Sequence, residues 1–205
     1  MVDSKAKPEI EFWFEFGSAY SYLSVMRIER EAAQRGVDVL WRPFLLGPIF
    51  QAVGFKENPL VEQKEKRSYV LRDMARQCQK YQLQWIHPSI FPRQGLLPLR
   101  VALLGAEKPW IAAFCREVME LNYGVGDDIN DPQRLAPVLT KLGVQASEIL
   151  EQAKAEPTKA LLRNQTEKAR ARGIFGAPSF FVGTEMFWGN DRLDDALQLA
   201  ANRTR

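Results

Sequence analysis

Residues 9–43 read EIEFWFEFGSAYSYLSVMRIEREAAQRGVDVLWRP, and the fold follows from how this stretch is divided. Its opening segment places Phe12, Phe14 and Phe16 two apart, the period of a strand with one face turned to a core. A helix follows almost at once. Tyr22, Val25, Ile28 and Ala32 recur at three- and four-residue steps, and Gly36 supplies a left-handed stop. Val37, Val39 and Trp41 then alternate as a second strand. Two strands joined through a helix make a parallel pair, because a hairpin cannot contain such a crossover.

From about Gly54 to Gly173 the period changes to 3.6 throughout. Val70, Met74, Gln77 and Tyr81 share one helical face, and Ile111, Phe114, Cys115, Val118 and Leu121 share another. Pro59, Pro98, Pro109, Pro132 and Pro157 mark helix starts. Strand character returns in GIFGAPSFFVGTEMFW, residues 173–188: a strand preceded by Pro178, a turn at Gly183-Thr184-Glu185, and a second short strand. The closing NDRLDDALQLAANR is a helix with Leu193, Ala196, Leu197 and Ala200 as its buried stripe, Asn190 or Asp191 as its cap, and Asp194 and Asp195 at its positive end. The β-rich ends must complete one sheet. The expected architecture is therefore α/β, with residues 1–53 and 174–205 forming one discontinuous domain and residues 54–173 an inserted all-helical domain.

The bulk composition narrows the function classes. With 205 residues, 46% hydrophobic and 26% charged, the chain can bury a full core. No run approaches the roughly 18 consecutive apolar residues of a membrane helix, and the charged start passes straight into a strand without an export signal. A cytoplasmic protein without membrane association is expected. The net charge of +3 is spread among interleaved acids and bases, which argues against nucleic acid as a partner but leaves room for a small anion. Cys78 and Cys115 fall on apolar helical faces and have no close pair or metal-spaced companions, so they read as core, with neither a disulfide framework nor a metal site. His87, the only histidine, sits among Pro88, Pro92 and Pro98 and reads as a loop residue. Trp41, Trp85 and Trp110 read as core, whereas Trp188 abuts Gly189-Asn190-Asp191 and is the better candidate for lining a pocket.

The chemistry concentrates in the first strand-to-helix turn, Gly17-Ser18-Ala19-Tyr20-Ser21. In the thioredoxin architecture this turn carries a Cys-x-x-Cys pair facing a cis proline before a late strand. Here the pair is Ser18 and Ser21, and the late strand is preceded by Gly176-Ala177-Pro178. Serine cannot cycle through a disulfide, so this pair cannot exchange thiols. A serine hydroxyl at a helix start can instead donate to an anion, supported by the first backbone N–H groups of the helix. A thiolate is the natural guest: one hydrogen bond to a charged group contributes roughly 1.5–3 kcal/mol, and each pKa unit is about 1.4 kcal/mol. Read alone, Ser18 is equally a helix N-cap, and Ser21, one turn further in, packs or caps.

The segments FEFGSAYSYL, RPFLLGPIF, GIFGAPSFFV and FWGNDRL together resemble the glutathione-dependent 2-hydroxychromene-2-carboxylate isomerases and the related kappa-class glutathione transferases, in order and over nearly the whole chain. The resemblance implies a thioredoxin-like fold with a helical insertion, glutathione as cofactor, and a homodimer. It implies that Ser18 faces the glutathione sulfur, that Asn190 and Asp191 hold the γ-glutamyl end, and that Ala177, before cis-Pro178, pairs with the cysteinyl part. Asn58 corresponds to a family asparagine once a gap is placed and joins the implied glutathione-binding residues, and Ala19 stands where the family has proline. For the substrate, a small aromatic carboxylate, Arg93 in HPSIFPRQGLLPLR is the candidate for its carboxylate, and Trp188 is the second substrate-binding candidate. The implied reaction converts 2-hydroxychromene-2-carboxylate to trans-o-hydroxybenzylidenepyruvate. A transferase that releases the glutathione adduct, and a non-catalytic module that binds peptides by strand pairing beside Pro178, are the competing functions.

Overall fold

The computed structural model describes residues 7–203. The decisive stretch forms β1 (Glu9–Phe14), α1 (Ala19–Gln34) and β2 (Asp38–Pro43), with β1 and β2 parallel from the Glu9 and Asp38 pair to the Phe14 and Pro43 pair. Gly36, at φ +66°, makes the left-handed stop between α1 and β2. On the other side of β1 the chain returns as β3 (Ser179–Val182), antiparallel to β1, and β4 (Glu185–Trp188) pairs antiparallel to β3. The sheet order is β2-β1-β3-β4, so the central strand has one neighbour from each end of the chain.

β1 is buried on both faces, which the two-residue period alone does not convey. Phe12 and Phe14 stack 5.1 Å apart on one face with Trp41 and Phe180 nearby. Trp13, on the opposite face, is equally buried in a second apolar cluster with Phe44, Ile49, Ala169 and Phe181. A strand covered on both sides becomes a near-continuous apolar run.

After β2 the chain forms α2 (Leu46–Ala52), and residues 54–173 then form α3 (Pro59–Glu62), α4 (Lys64–Tyr81), α5 (Leu96–Leu104), α6 (Ile111–Met119), a wide π turn (Glu120–Val125), α7 (Pro132–Lys141), α8 (Ala146–Lys154) and α9 (Glu156–Ala171). Pro59 and Pro132 open their helices and Pro157 is the second residue of α9, as expected, whereas Pro98 lies inside the first turn of α5 and Pro109 before α6. The main apolar cluster runs from the sheet into the insertion without a break: Phe16 meets Phe114 edge-on at 6.3 Å, and Cys78 and Cys115 are buried free thiols within it.

Three local expectations need correction. The buried stripe of α4 is Val70, Met74 and Cys78, while Gln77 turns toward a groove. The hairpin turn is Gly183-Thr184, because Glu185 already pairs with Val182. Neither Asn190 nor Asp191 caps the final helix, α10 (Leu193–Asn202): residues Asn190–Arg192 form a tight 3-10 turn, and the Asn190 side chain is drawn inward by a buried arginine. The stripe of Leu193, Ala196, Leu197 and Ala200 is buried as expected.

Candidate active site

Ser18 takes an extended backbone conformation (φ −88°, ψ 113°) and ends the turn as the N-cap of α1. Its hydroxyl does two things. It accepts the Ser21 N–H at 3.2 Å, which satisfies one of the orphan donors of the helix start, and it donates to the Ala177 carbonyl at 2.8 Å. The Ala177–Pro178 peptide is cis. Capping and facing the cis proline are thus two duties of one hydroxyl. Ser21 is fully buried, and its own hydroxyl has no hydrogen-bond partner among the described residues.

Beside this pair runs a groove of about 600 Å³, lined by Ala177, Pro178 and Trp188 on one side and by Tyr20, Asp73 and Gln77 on the other. Asn190 and Asp191 close one end. Asn190 is buried, and its Oδ1 accepts the Arg27 guanidinium at 2.8 Å and the Ser24 hydroxyl at 3.3 Å. A guanidinium only donates, so it fixes which way the amide points and leaves Nδ2 for the groove. Arg27 is itself held by Glu31 at 3.0 Å and stacks over Tyr81 at 4.1 Å. Asp191 is exposed and lies 3.1 Å from Arg192. Trp188 lies across Gly176, where any Cβ would strike the indole, and meets Phe175 edge-on at 4.9 Å. Sequence reasoning missed Asp73, which accepts the Tyr20 hydroxyl at 2.9 Å; burial first, and that bond second, push the Tyr20 phenol above its ordinary range. The available signal was Tyr69, Asp73 and Gln77, a polar stripe four residues apart along α4.

A second cavity, of about 530 Å³, lies on the other side of the serine turn, lined by Glu15, Gly17, Lys56, Asn58, Arg93 and Leu96 among others. Asn58 and Arg93 therefore do not join Asn190 in the groove. Asn58 caps α3 by accepting the Leu60 N–H at 2.9 Å. Arg93 is buried, donating to Asn122 Oδ1 and the Gly126 carbonyl, each at 3.1 Å, with Asp128 at 3.8 Å. Gly17 packs so closely on the Arg93 carbonyl that a Cβ there would collide with it. Glu15 follows β1 directly; burial pushes its carboxyl up to about 7, opposed by a hydrogen bond from the Leu46 N–H.

The two thiols stand apart from this chemistry. Burial pushes Cys78 up to about 11 and Cys115 well above its ordinary value. Among the described residues no group of histidines, cysteines and acids is arranged to hold a metal, and no helix is long and apolar enough to cross a membrane.

Residues 9–200, from the start of β1 to the last turn of α10, match the DSBA-like thioredoxin domain. The chain belongs to this family. The expected thioredoxin-like fold with a helical insertion is thereby established, as is the resemblance seen in the sequence. A 2-hydroxychromene-2-carboxylate isomerase of Sphingobium xenophagum is 28% identical over 185 residues, covering 90% of this chain and 94% of that protein. A kappa 1 glutathione S-transferase of Caenorhabditis elegans is 25% identical, covering 90% and 87%. Among solved structures, a 2-hydroxychromene-2-carboxylate isomerase superposes with a TM-score of 0.85 at 26% identity, covering 96% of this chain and 95% of that one. In this DSBA-like chain the start of α1, beside the cis Ala177–Pro178 peptide, carries Ser18 and Ser21.

Proposed function

We propose that the chain is a glutathione-dependent isomerase of a small aromatic carboxylate, converting 2-hydroxychromene-2-carboxylate to trans-o-hydroxybenzylidenepyruvate. One observation carries the reading: the Ser18 hydroxyl sits at the start of the 16-residue α1, 2.8 Å from the carbonyl of Ala177, which precedes a cis proline and lines the groove. The groove fits an extended tripeptide with a charged amino-acid end, since it offers backbone at Ala177, an acidic pair in Asp73 and Asp191, and donors at Asn190 and Arg192. When bound, glutathione supplies a thiol that adds reversibly to a conjugated carbon, so that a double bond becomes a single bond about which rotation is easy.

The protein's own residues have separate tasks in this scheme. Ser18 donates its hydrogen bond to the sulfur and, with the N–H groups of α1, favours the anion. Ala177 and Pro178 align the cysteinyl portion, while Asn190 and Asp191 take the γ-glutamyl end. Trp188 covers the groove. The second cavity receives the aromatic carboxylate, with Arg93 and Lys56 as its cationic lining and Asn58 at its wall. A cytoplasmic homodimer is part of the reading and rests on the sequence resemblance. The isomerase and kappa-class relatives support glutathione chemistry, and the isomerase is preferred because it matches at higher identity and coverage.

Titration calorimetry with glutathione, followed by an absorbance assay with 2-hydroxychromene-2-carboxylate, tests the proposal. Binding together with catalytic formation of the trans product is expected. Release of a stoichiometric glutathione adduct would make the chain a transferase, and no binding at millimolar glutathione would refute the cofactor.

A further inference from the structure

The second cavity contains two acids that the scheme above leaves without a task, Glu15 and Glu57, and of these Glu15 is the one beside the serine turn. Glu15 lines it next to Gly17, and its carboxyl carbon lies 3.9 Å from where a Gly17 Cβ would stand, so the carboxyl adjoins the serine turn itself. The Glu15 carbonyl also accepts the Ser18 N–H at 3.1 Å, tying the acid and the serine into one rigid turn. The charged and titratable groups around it come from three other elements. Lys56 and Glu57 line the cavity from the segment between α2 and α3, and Arg93 from the segment before α5. From the π turn comes Tyr123, fully buried, its hydroxyl without a hydrogen-bond partner among the described residues. Arg93 is taken up by Asn122, Gly126 and Asp128 and is not paired with Glu15.

The proposed substrate makes a demand of its own. 2-Hydroxychromene-2-carboxylate is a cyclic hemiketal: one carbon bears the hydroxyl, the carboxylate and the ring oxygen. Its ring must open before rotation can give an open-chain product, and opening requires a proton to leave one oxygen and arrive at another. Resting on the isomerase reading, we propose that Glu15 is the general base and acid that opens the hemiketal ring in the cavity beside Ser18. The Glu15 carboxylate takes the hydroxyl proton. The released O–H electron pair becomes the carbonyl of the keto acid, the bond from carbon to ring oxygen breaks, and its pair goes to the phenolic oxygen. That oxygen then takes the proton back from Glu15. One proton moves, no redox partner is needed, and the carboxylate is regenerated. A group poised near neutrality serves both halves of such a transfer, because neither protonation state is scarce.

The test compares two substrates on wild type and on Glu15→Gln at saturating glutathione. One is the hemiketal; the other is the open-chain cis isomer of o-methoxybenzylidenepyruvate, which cannot close to a ring and therefore needs no opening. Glu15→Gln is expected to lower kcat on the hemiketal by about a hundredfold or more while staying within about twofold of wild type on the methoxy compound, and Glu15→Asp is expected to recover part of the loss. The wild-type limb of kcat against pH near 7 should vanish in Glu15→Gln on the hemiketal. Activity retained on the methoxy compound also shows that the variant is folded. An equal loss on both substrates, or no loss on either, overturns the role of Glu15. Wild type inactive on both overturns the isomerase reading and the inference with it, whereas wild type active on both with a selective variant defect separates the two questions.

Discussion

Replacing Ser18 with alanine removes one hydroxyl and two hydrogen bonds, and the two losses register in different assays. The bond accepted from the Ser21 N–H is a helix cap, and its removal costs about 1 kcal/mol of stability, readable in a denaturant titration. The bond donated to the Ala177 carbonyl bears on catalysis in the proposed scheme. With glutathione bound, the hydroxyl has to redirect its single proton from that neutral carbonyl to the sulfur. A hydrogen bond to a charged acceptor contributes about 1.5–3 kcal/mol and the neutral one given up about 1, leaving a net preference for thiolate of roughly 0.5–2 kcal/mol. At 1.36 kcal/mol per pKa unit, Ser18→Ala should raise the bound thiol by about 0.4–1.5 units and slow turnover about two- to thirtyfold at neutral pH. The defect must shrink as pH rises, since the thiol then ionises unaided. The assay is the pH–rate profile at saturating glutathione, with thiolate absorbance near 240 nm as a direct readout. A variant dead at every pH would refute thiolate stabilisation in favour of a covalent serine, and a variant equal to wild type would leave Ser18 as a cap only.

Asp191→Ala should weaken glutathione binding by about two- to fivefold in calorimetry, the scale of one exposed charge contact, and an unchanged Kd would move the γ-glutamyl end elsewhere. No insulin reductase activity is expected, and Cys78 and Cys115 should resist a thiol reagent in the native state, because burial holds both thiols protonated; reactivity at native rates without unfolding would contradict this. Glu15 predicts a pH dependence of stability. Its folded-state value, about 7, lies above the ordinary 4.5, so between these values the folded state binds more protons and stability falls as pH rises. Glu15→Gln lacks that slope, and in urea titrations it should gain on wild type by up to about 3 kcal/mol between pH 4.5 and pH 8; parallel curves would show that Glu15 titrates normally.

What the sequence made legible was what local periodicity and short motifs encode. Phe12, Phe14 and Phe16 announce a strand and Tyr22 to Ala32 a helix, because each signal lies within a few residues of chain, while the nearness of Ser18 to Ala177-Pro178 was legible only through the expected topology of the sheet. The illegible parts depend on partners far away. Arg27 carries no signal in the sequence, yet it is buried and holds Asn190, 163 residues on. Gln77 falls at an apolar spacing on α4 but faces a groove, since the buried stripe steps by four through Val70, Met74 and Cys78 and leaves Gln77 beside it. Arg93 reads as a free loop cation, and only the packed structure shows Asn122 and Gly126 holding its guanidinium. Glu15 falls within FEFGSAYSYL without any local signal of its own, and its shifted titration follows from the burial around it.

The position of β1 also determines when the site can come into being. During synthesis from the N-terminus, β1, β2 and the helical insertion all emerge before β3, so the nascent chain holds β1 with one edge unpaired until residues beyond 173 leave the ribosome. Ser18 is made early, and Ala177, which receives its hydroxyl, is among the last to arrive. A ribosome stalled ahead of Ser179 would therefore carry a chain whose Trp13 and Phe12 are hydrophobic on both sides of an open strand edge. Such a chain is a natural client for holding chaperones.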